Sequence, residues 1–241
     1  MKKSAARFAA LILILVLMLG VSVPAAAAGR DIDVAEERMR QAITNFETSV
    51  YVSDLAIYRD ETVAVLEKLW EDPELFQFYE YHYWYNGSGR VTRIELSYRT
   101  GITPEIVRQT KEAADRVVAE CILPGMDDLQ KLMVLHDYLA LNVEYEGDVY
   151  DPNTTSPSSY TPYGALVLHV AVCHGYAMSY QMLLNRCGIV SSFVSSEGMD
   201  HDWCQVKLYG SWFHVDVTWD DPTPDRLGRV MHEYFLISDD A

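Results

Sequence analysis

Basic residues are scarce in this sequence of 241 residues, where 19 lysines and arginines stand against 35 aspartates and glutamates. The formal net charge is −16, so no basic stripe is available to neutralise a phosphate backbone, which argues against a nucleic-acid partner. Cysteine is scarce too, and four residues are too few for a small disulfide-stapled protein. Internal repeats are lacking. With 49% hydrophobic residues, the composition predicts one large globular domain, or one domain with an accessory piece.

The first 28 residues resemble a targeting segment. Three basic residues precede the apolar run 8–21, and Pro24 stands before four alanines that are typical of a cleavage site. Because the apolar run is shorter than the roughly 20 residues that span a bilayer, we expect a cleaved signal peptide over residues 1–28. The sequence therefore predicts a secreted or cell-envelope protein that is not stably inserted in a membrane.

Residues 30–125 are expected to form an accessory helical and hairpin segment. A helical pattern extends over 33–69, and alternating tyrosines at 79–85 lead through the turn 86–89 into a second alternating stretch. This arrangement predicts a β-hairpin, in which the tyrosines more readily stabilise the sheet than bind a ligand. Further helical patterns cover 104–123 and 127–142.

A helix with a cysteine in its first turn is predicted after Val172. Apolar residues recur at helical spacing up to Cys187, and Gly188 occupies the position of a left-handed cap. Cys173 therefore lies where unpaired backbone N–H groups and the helix dipole favour a thiolate. A cysteine at this position is suited to nucleophilic attack on an acyl carbon.

Three strands are predicted after this helix, over 190–195, 201–208 and 211–219. If Tyr209 and Gly210 form a tight turn, Gln205 faces His214, Trp203 faces Asp216, and His201 faces Thr218. His201 and Asp216 then lie on one face of the sheet, within reach of a hydrogen bond. With Cys173, they supply the nucleophile, base and orienting carboxylate of a catalytic triad.

Several motifs, taken together and in this order, resemble the bacterial transglutaminase-like superfamily over about residues 126–238. They are Leu135–Leu139, Tyr163–Val167, Val172–Ala177, Gly188-Ile189, His201–Trp203 and Gly210–Asp220. The resemblance implies an α+β fold with a papain-like transglutaminase core over 126–241, in which the nucleophile helix packs on an antiparallel β-sheet. It also implies a catalytic triad of Cys173, His201 and Asp216. Cys204 stands where the family often has asparagine, and the alternation of the strand points it away from His201.

Other polar and aromatic residues of this region have less definite expected roles. His214 is a rival base, but it lies in mid-strand, whereas His201 starts its strand beside a loop where a cleft can open. Tyr163 is a candidate oxyanion donor or substrate contact, and Trp203 is a candidate lining residue. His136 and His174 are expected to be structural, and the Asp220-Asp221 pair is expected in a solvated turn.

No metal or other cofactor is expected. Cys173, His174, His201 and Cys204 could be counted as four zinc ligands, but adjacent helix positions and opposite strand faces do not converge on one ion. The predicted activity is acyl transfer on the peptide or amide bond of a peptide, protein or cell-wall peptide, through a thioester at Cys173. Water as acceptor gives hydrolysis, which is favoured slightly, and an amine gives cross-linking. The alternative is a non-catalytic module that binds cell-wall or surface ligands on the same fold.

Overall fold

The computed structural model describes residues 25–147, 155–222 and 228–239, and the chain forms two compact units. The first unit comprises the residues up to Glu71 together with Gln77–Arg99. The second comprises Asp72–Phe76 and the chain from Thr100 onwards. The second unit thus takes in residues 100–125, which the sequence-based division assigns to the accessory segment. The predicted domain limits 30–125 and 126–241 remain predictions.

The predicted signal peptide falls almost wholly outside the described residues, which begin with the backbone of Ala25. In the described part of the chain, no helix is both long enough and apolar enough to cross a membrane.

A three-stranded antiparallel sheet and two helices make up the first unit. The sheet has the order β1-β3-β2. The elements are α1 (Ala25–Thr44), β1 (Ser49–Tyr51), α2 (Arg59–Trp70), β2 (Phe78–Tyr85) and β3 (Val91–Tyr98). The single helical pattern predicted over 33–69 was wrong, because β1 interrupts it and pairs with β3, Val50 opposite Ile94. A strand of three residues is too short to leave a period of its own in the sequence.

The predicted hairpin is confirmed as β2 and β3. Tyr83 pairs with Ile94, and the rings of Tyr81, Tyr83 and Tyr85 follow one another with centroids 6.5 Å and 6.4 Å apart. Because residues two apart share one face of a strand, the aromatic alternation predicted this row correctly.

The second unit combines helices with one parallel strand pair and one antiparallel sheet. The pair is β4-β5, and the sheet has the order β6-β7-β8-β9. The helices are α3 (Pro104–Cys121), α4 (Asp128–Asn142), α5 (Cys173–Arg186) and α6 (Val217–Asp220). The strands are β4 (Glu144–Tyr145), β5 (Val170–Ala171), β6 (Ser191–Ser196), β7 (His201–Leu208), β8 (Ser211–Val215) and β9 (Phe235–Ile237). A 3₁₀ turn covers Pro157–Tyr160, and a π-helical turn covers Gly164–Leu168.

Helix α5 is the centre of this unit, since every residue from His174 to Leu184 is buried. It packs against β6 and β7 on one side and against α3 and α4 on the other. Its buried hydroxyls are satisfied by neighbouring backbone, because Tyr176 donates to the carbonyl of Val143 and Tyr180 donates to the carbonyl of Leu132, both at 2.9 Å. The helix stops at Cys187, and Gly188 follows with φ of 71°, as predicted.

The hairpin of β7 and β8 has the predicted register but is shorter than predicted. Gln205 faces His214, and Leu208 faces Ser211. The strand expected over 211–219 ends at Val215, so the pairs Trp203–Asp216 and His201–Thr218 are not formed. Asp216 instead caps α6, where its Oδ1 accepts the backbone N–H of Trp219 at 3.1 Å. A short acidic side chain that bonds the backbone three residues on competes with strand pairing.

Gly175 is required by a close approach between α5 and the chain at Ser159. A Cβ atom placed on Gly175 would lie 2.3 Å from the carbonyl oxygen of Ser159 and 3.3 Å from that of Thr161. Both neighbours are backbone atoms, so they cannot rotate away as a flexible side chain could. The backbone of this loop is therefore fixed against the first turn of α5.

We predict that Gly175→Ala destabilises the protein by about 1–3 kcal/mol through overpacking. Gly198→Ala is the matched control, since a Cβ there meets nothing within 4 Å, and it should change stability by less than about 0.5 kcal/mol. Urea unfolding followed by circular dichroism measures both. Equal stability of the two variants would contradict the close approach.

Candidate active site

Cys173 is the first residue of α5, where the chain on both sides of it is held by backbone contacts. Just before it, the N–H of Val172 donates to the carbonyl of Ser159 at 3.0 Å. Just after it, Gly175 packs against the same carbonyl. The Cys173 side chain is half-buried, and it lies at a helix end whose first N–H groups lack partners within the helix. A nucleophile at this position is both fixed and accessible.

His201 and Asp216 form a buried hydrogen-bonded pair beside Cys173. The Nε2 atom of His201 lies 2.5 Å from Oδ2 of Asp216, and the two residues are 8% and 5% exposed. The same imidazole interacts with the side chain of Cys173, and this hydrogen bond contributes to the raised pKa of His201. The structure thus brings the three predicted residues together in the order cysteine, imidazole and carboxylate.

Asp216 is positioned by more than the imidazole. Besides capping α6 with Oδ1, it donates its backbone N–H to the carbonyl of Tyr234 at 3.0 Å. Its carboxylate therefore approaches His201 from a chain turn and not from a regular strand. The predicted contact is present although two of the predicted strand pairs are not.

The electrostatic environment favours the charged form of His201. Burial of the ring acts against a charge, but hydrogen bonds to Asp216 and then to Cys173 outweigh it and raise the pKa of His201 to about 9. At neutral pH the ring is therefore an imidazolium next to the sulfur of Cys173. This charge is of the sign that stabilises a thiolate.

Two indole rings lie nearly parallel to the imidazole of His201. The centroid of Trp219 is 4.6 Å away at 8° between planes, and that of Trp203 is 5.8 Å away at 19°. Sequence reasoning found Trp203 as a lining residue but placed Trp219 on the opposite face of a longer strand. The turn at Asp216 brings Trp219 back over the imidazole. The spacing of an N-cap aspartate and an aromatic residue three positions later was the signal that could have found it.

A cavity of about 270 Å³ borders the His201 and Asp216 side of the site. Apart from those two residues, its walls include aromatic and apolar side chains, together with a second histidine: Met199, Trp203, His214, Trp219, Tyr234 and Ile237. A concave space lined mainly by such side chains next to a charged pair is typical of a ligand-binding cleft.

The rival base His214 is engaged elsewhere. Its Nδ1 accepts the indole N–H of Trp203 at 2.8 Å, and its Nε2 lies 2.9 Å from Asp239. His174 is also engaged, since its Nδ1 lies 2.9 Å from Oδ2 of Asp202. That pair connects the first turn of α5 to the start of β7, so it holds the strands and the helix that carry the site together.

Cys204 points away from the site, as the strand alternation predicts. Its thiol donates to the carbonyl of Ala177 at 3.2 Å, and burial raises its pKa far above the usual range. Cys204, which stands where the family often has asparagine, therefore faces α5 from its position on β7.

Sequence reasoning missed Tyr145, which pairs with Ala171 in the β4-β5 pair, two residues before Cys173 in the chain. Burial, followed by the charge of Cys173, raises the pKa of Tyr145 to about 12. Tyr145 therefore keeps its phenolic proton at neutral pH. Tyr163, the predicted oxyanion candidate, lies half-buried just before the π-helical turn, and among the described residues no hydrogen bond joins it to Cys173. Its predicted role remains a prediction.

A cysteine at a helix start, with a histidine on the adjoining sheet and an aspartate in the turn after that sheet's next strand, is an arrangement suited to cysteine-dependent acyl transfer. The family model of the transglutaminase-like superfamily matches residues 115–217, which contain all three side chains. Residues 115–217 belong to the transglutaminase-like superfamily, whose members are typically cysteine-dependent enzymes. The predicted α+β fold, with the nucleophile helix on an antiparallel sheet, is confirmed.

Two solved structures are similar to this chain at low identity. One, described as a TGase, is 13% identical with a TM-score of 0.44, over 65% of this chain and 48% of that one. The other is a proposed cysteine protease from Cytophaga hutchinsonii, 14% identical with a TM-score of 0.34, over 63% of this chain and 64% of that one. This chain thus spans about half of the first and less than two thirds of the second. No curated protein sequence matches it significantly.

We predict that iodoacetamide labels Cys173 before the other three cysteines. Burial raises the pKa of Cys121, Cys187 and Cys204, so each of those thiols ionises less readily, whereas Cys173 faces an imidazolium. Limited alkylation followed by peptide mapping measures the order. His201→Ala should slow labelling of Cys173 without changing that of Cys121, and preferential labelling of any other cysteine would oppose the assignment.

Loss of the His201 proton predicts the alkaline limit of the site. Because the charge of His201 beside Cys173 is lost there, the labelling of Cys173 relative to Cys121, compared with the same ratio in His201→Ala, should decline as pH rises through about 9. The same charge stabilises the fold fully below the unfolded value of about 6.5, and this contribution is lost as pH rises through about 9. Asp216→Asn should move the alkaline limit down by about 1 pH unit or more. An unchanged limit would show that another group sets it.

Proposed function

We propose that this protein is a cysteine-dependent acyltransferase that cleaves peptide or amide bonds through a thioester at Cys173. The hydrogen-bonded chain from Cys173 through His201 to Asp216 is the observation that supports this function. The superfamily match supports the same class of chemistry. Asp216 would hold the imidazole in one orientation and stabilise its charge.

In the first step, the sulfur of Cys173 attacks the carbonyl carbon of the scissile amide, and the carbonyl oxygen becomes an oxyanion. The backbone N–H of Cys173 is a candidate donor to that oxyanion, and Tyr145, whose strand pairs with Ala171 just before Cys173, is a second candidate. The His201 imidazolium then gives its proton to the departing nitrogen as the carbon–nitrogen bond breaks. The products are an amine and a thioester on Cys173.

In the second step, neutral His201 takes a proton from the acceptor as the acceptor attacks the thioester. Water yields a carboxylic acid, and a primary amine yields a new amide. We favour water, because an amine has to be uncharged to attack and the acidic protein stabilises its charged form. The thiolate and the imidazolium are regenerated in either case.

The substrate class that we propose is a peptide, a protein or a cell-wall peptide, which a secreted or envelope-associated enzyme would meet. The excess of acidic residues, 35 against 19 basic ones, would attract cationic segments of such substrates. The cavity beside His201 would receive an apolar or aromatic group.

We predict that the protein hydrolyses members of a peptide library and that Cys173→Ala abolishes this activity. Asp216→Asn should lower kcat/KM by at least about 100-fold, because it removes the negative charge that orients the imidazole and stabilises its protonated form. Mass spectrometry with and without a labelled primary amine separates hydrolysis from transamidation. Dominant incorporation of the amine would overturn the preference for water.

Cys121→Ala is the matched control for the nucleophile, because Cys121 is a half-buried cysteine on α3. It should retain the activity of the natural sequence. If neither product forms, and the unmodified protein is indistinguishable from Cys173→Ala, the chain instead belongs to the class of non-catalytic ligand-binding modules.

A further inference from the structure

A second cluster of titratable side chains lies between α4, where sequence reasoning expected a structural histidine, and the segment just before β9. One atom each of His136, Asp137 and His232 lies within 4.8 Å of the other two. The Oδ1 atom of Asp137 is 3.0 Å from Nδ1 of His136 and 2.8 Å from Nε2 of His232. We propose that these three residues form a binding site for one divalent transition-metal ion, with zinc as the best-fitting ion.

The donor set matches the ion. Two imidazole nitrogens and one carboxylate oxygen are typical zinc ligands, and three protein ligands leave a fourth position for water. In a tetrahedral site with metal–ligand bonds of about 2.0–2.1 Å, ligand atoms lie about 3.3 Å apart. The two separations from Asp137 therefore have to widen by only a few tenths of an ångström. The ring nitrogens of His136 and His232 lie within 4.8 Å of each other, and a tetrahedral ion would set this separation to about 3.3 Å as well.

A buried carboxylate orients the central imidazole of this cluster. The Nε2 atom of His136 lies 3.1 Å from Oδ2 of Asp220, and both side chains are fully buried. Asp220 is itself fixed, since it accepts the backbone N–H of Tyr234 at 3.0 Å. A histidine whose second nitrogen bonds a carboxylate is the usual outer arrangement of metal-binding histidines. The prediction that Asp220 lies in a solvated turn was therefore wrong.

The cluster is open to solvent on one side and apolar on the other. His136 is buried, with the ring of Phe235 edge-on at 5.1 Å, whereas the side chains of Asp137 and His232 are 30% and 39% exposed. An ion can therefore enter past His232 and find one preformed, rigid ligand. Facing carboxylates, Nδ1 of His136 and Nε2 of His232 carry protons, which the ion displaces to solvent.

Binding would fasten the segment that supports the catalytic aspartate. His232 lies two residues before Tyr234, whose carbonyl accepts the N–H of Asp216. An ion shared by α4 and His232 would hold this segment in place without touching Cys173. The sequence-based expectation of no metal considered a zinc site at Cys173, His174, His201 and Cys204. The site proposed here uses three other residues.

Zinc titration of the Cys173→Ala protein tests the site, since that background removes the thiolate that could capture zinc beside His201. Calorimetry should give one zinc per chain. His232→Ala should weaken zinc binding by at least about 100-fold, because it removes a direct ligand and not merely a residue that hydrogen-bonds to a ligand. Asp137→Asn should weaken zinc binding by at least about 10-fold. His82→Ala, on β2, is the matched control and should bind as the background protein does.

Cobalt(II) supplies a second readout that distinguishes these ligands from cysteine. The bound ion should show tetrahedral visible bands without a sulfur-to-cobalt charge-transfer band. Circular dichroism identifies folded variants, and His232 is exposed enough for its replacement to be tolerated. Absence of stoichiometric binding, or equal zinc affinity in the His232→Ala and background proteins, would overturn the site. Neither result bears on cleavage by Cys173, which is measured separately.

Discussion

Burial of α5 is the constraint on which the second unit depends. A helix that is buried from its second residue to its twelfth keeps its polar side chains from water, so a hydrogen-bond partner in the protein is favourable for each of them. The hydroxyls of Tyr176 and Tyr180 therefore donate to backbone carbonyls of neighbouring segments of the same chain. Tyr176 also donates to the carboxylate of Asp221. These contacts fix the rotation of α5. As a result, the cysteine at the N-terminal end of α5 lies beside His201 at the edge of the sheet and is half-buried.

The reactive charge is confined to the edge of this buried framework. His201 begins β7 and Asp216 follows β8, so both lie where the regular ladder ends and side chains can meet across a turn. An imidazolium inside a sheet would lose hydration without gaining a partner. At the edge, the carboxylate and the sulfur replace the lost water, and the ring retains its proton.

Two features could be predicted from the sequence: the helix that carries Cys173 and the register of the β7-β8 hairpin. Both depend on local periodicity. The spacing of apolar residues defines α5, and the tight turn at Tyr209 sets Gln205 opposite His214. The end of β8 could not be predicted in the same way. The local sequence allows Asp216 either a strand pair or an N-cap, and in the structure it forms the N-cap together with a long-range backbone hydrogen bond to Tyr234. Trp219 and Tyr145 join the site through such contacts, so they leave no periodic signal.

The parallel stacking of Trp219 on His201 has an optical consequence. A protonated imidazole accepts an electron from an excited indole and so quenches its emission, whereas a neutral imidazole does so much less. With ring centroids 4.6 Å apart, Trp219 fluorescence should be dark while His201 carries its proton and should brighten when the proton leaves. If Cys173 forms the proposed covalent adduct, the partner of that proton changes, and Trp219 emission would report the change.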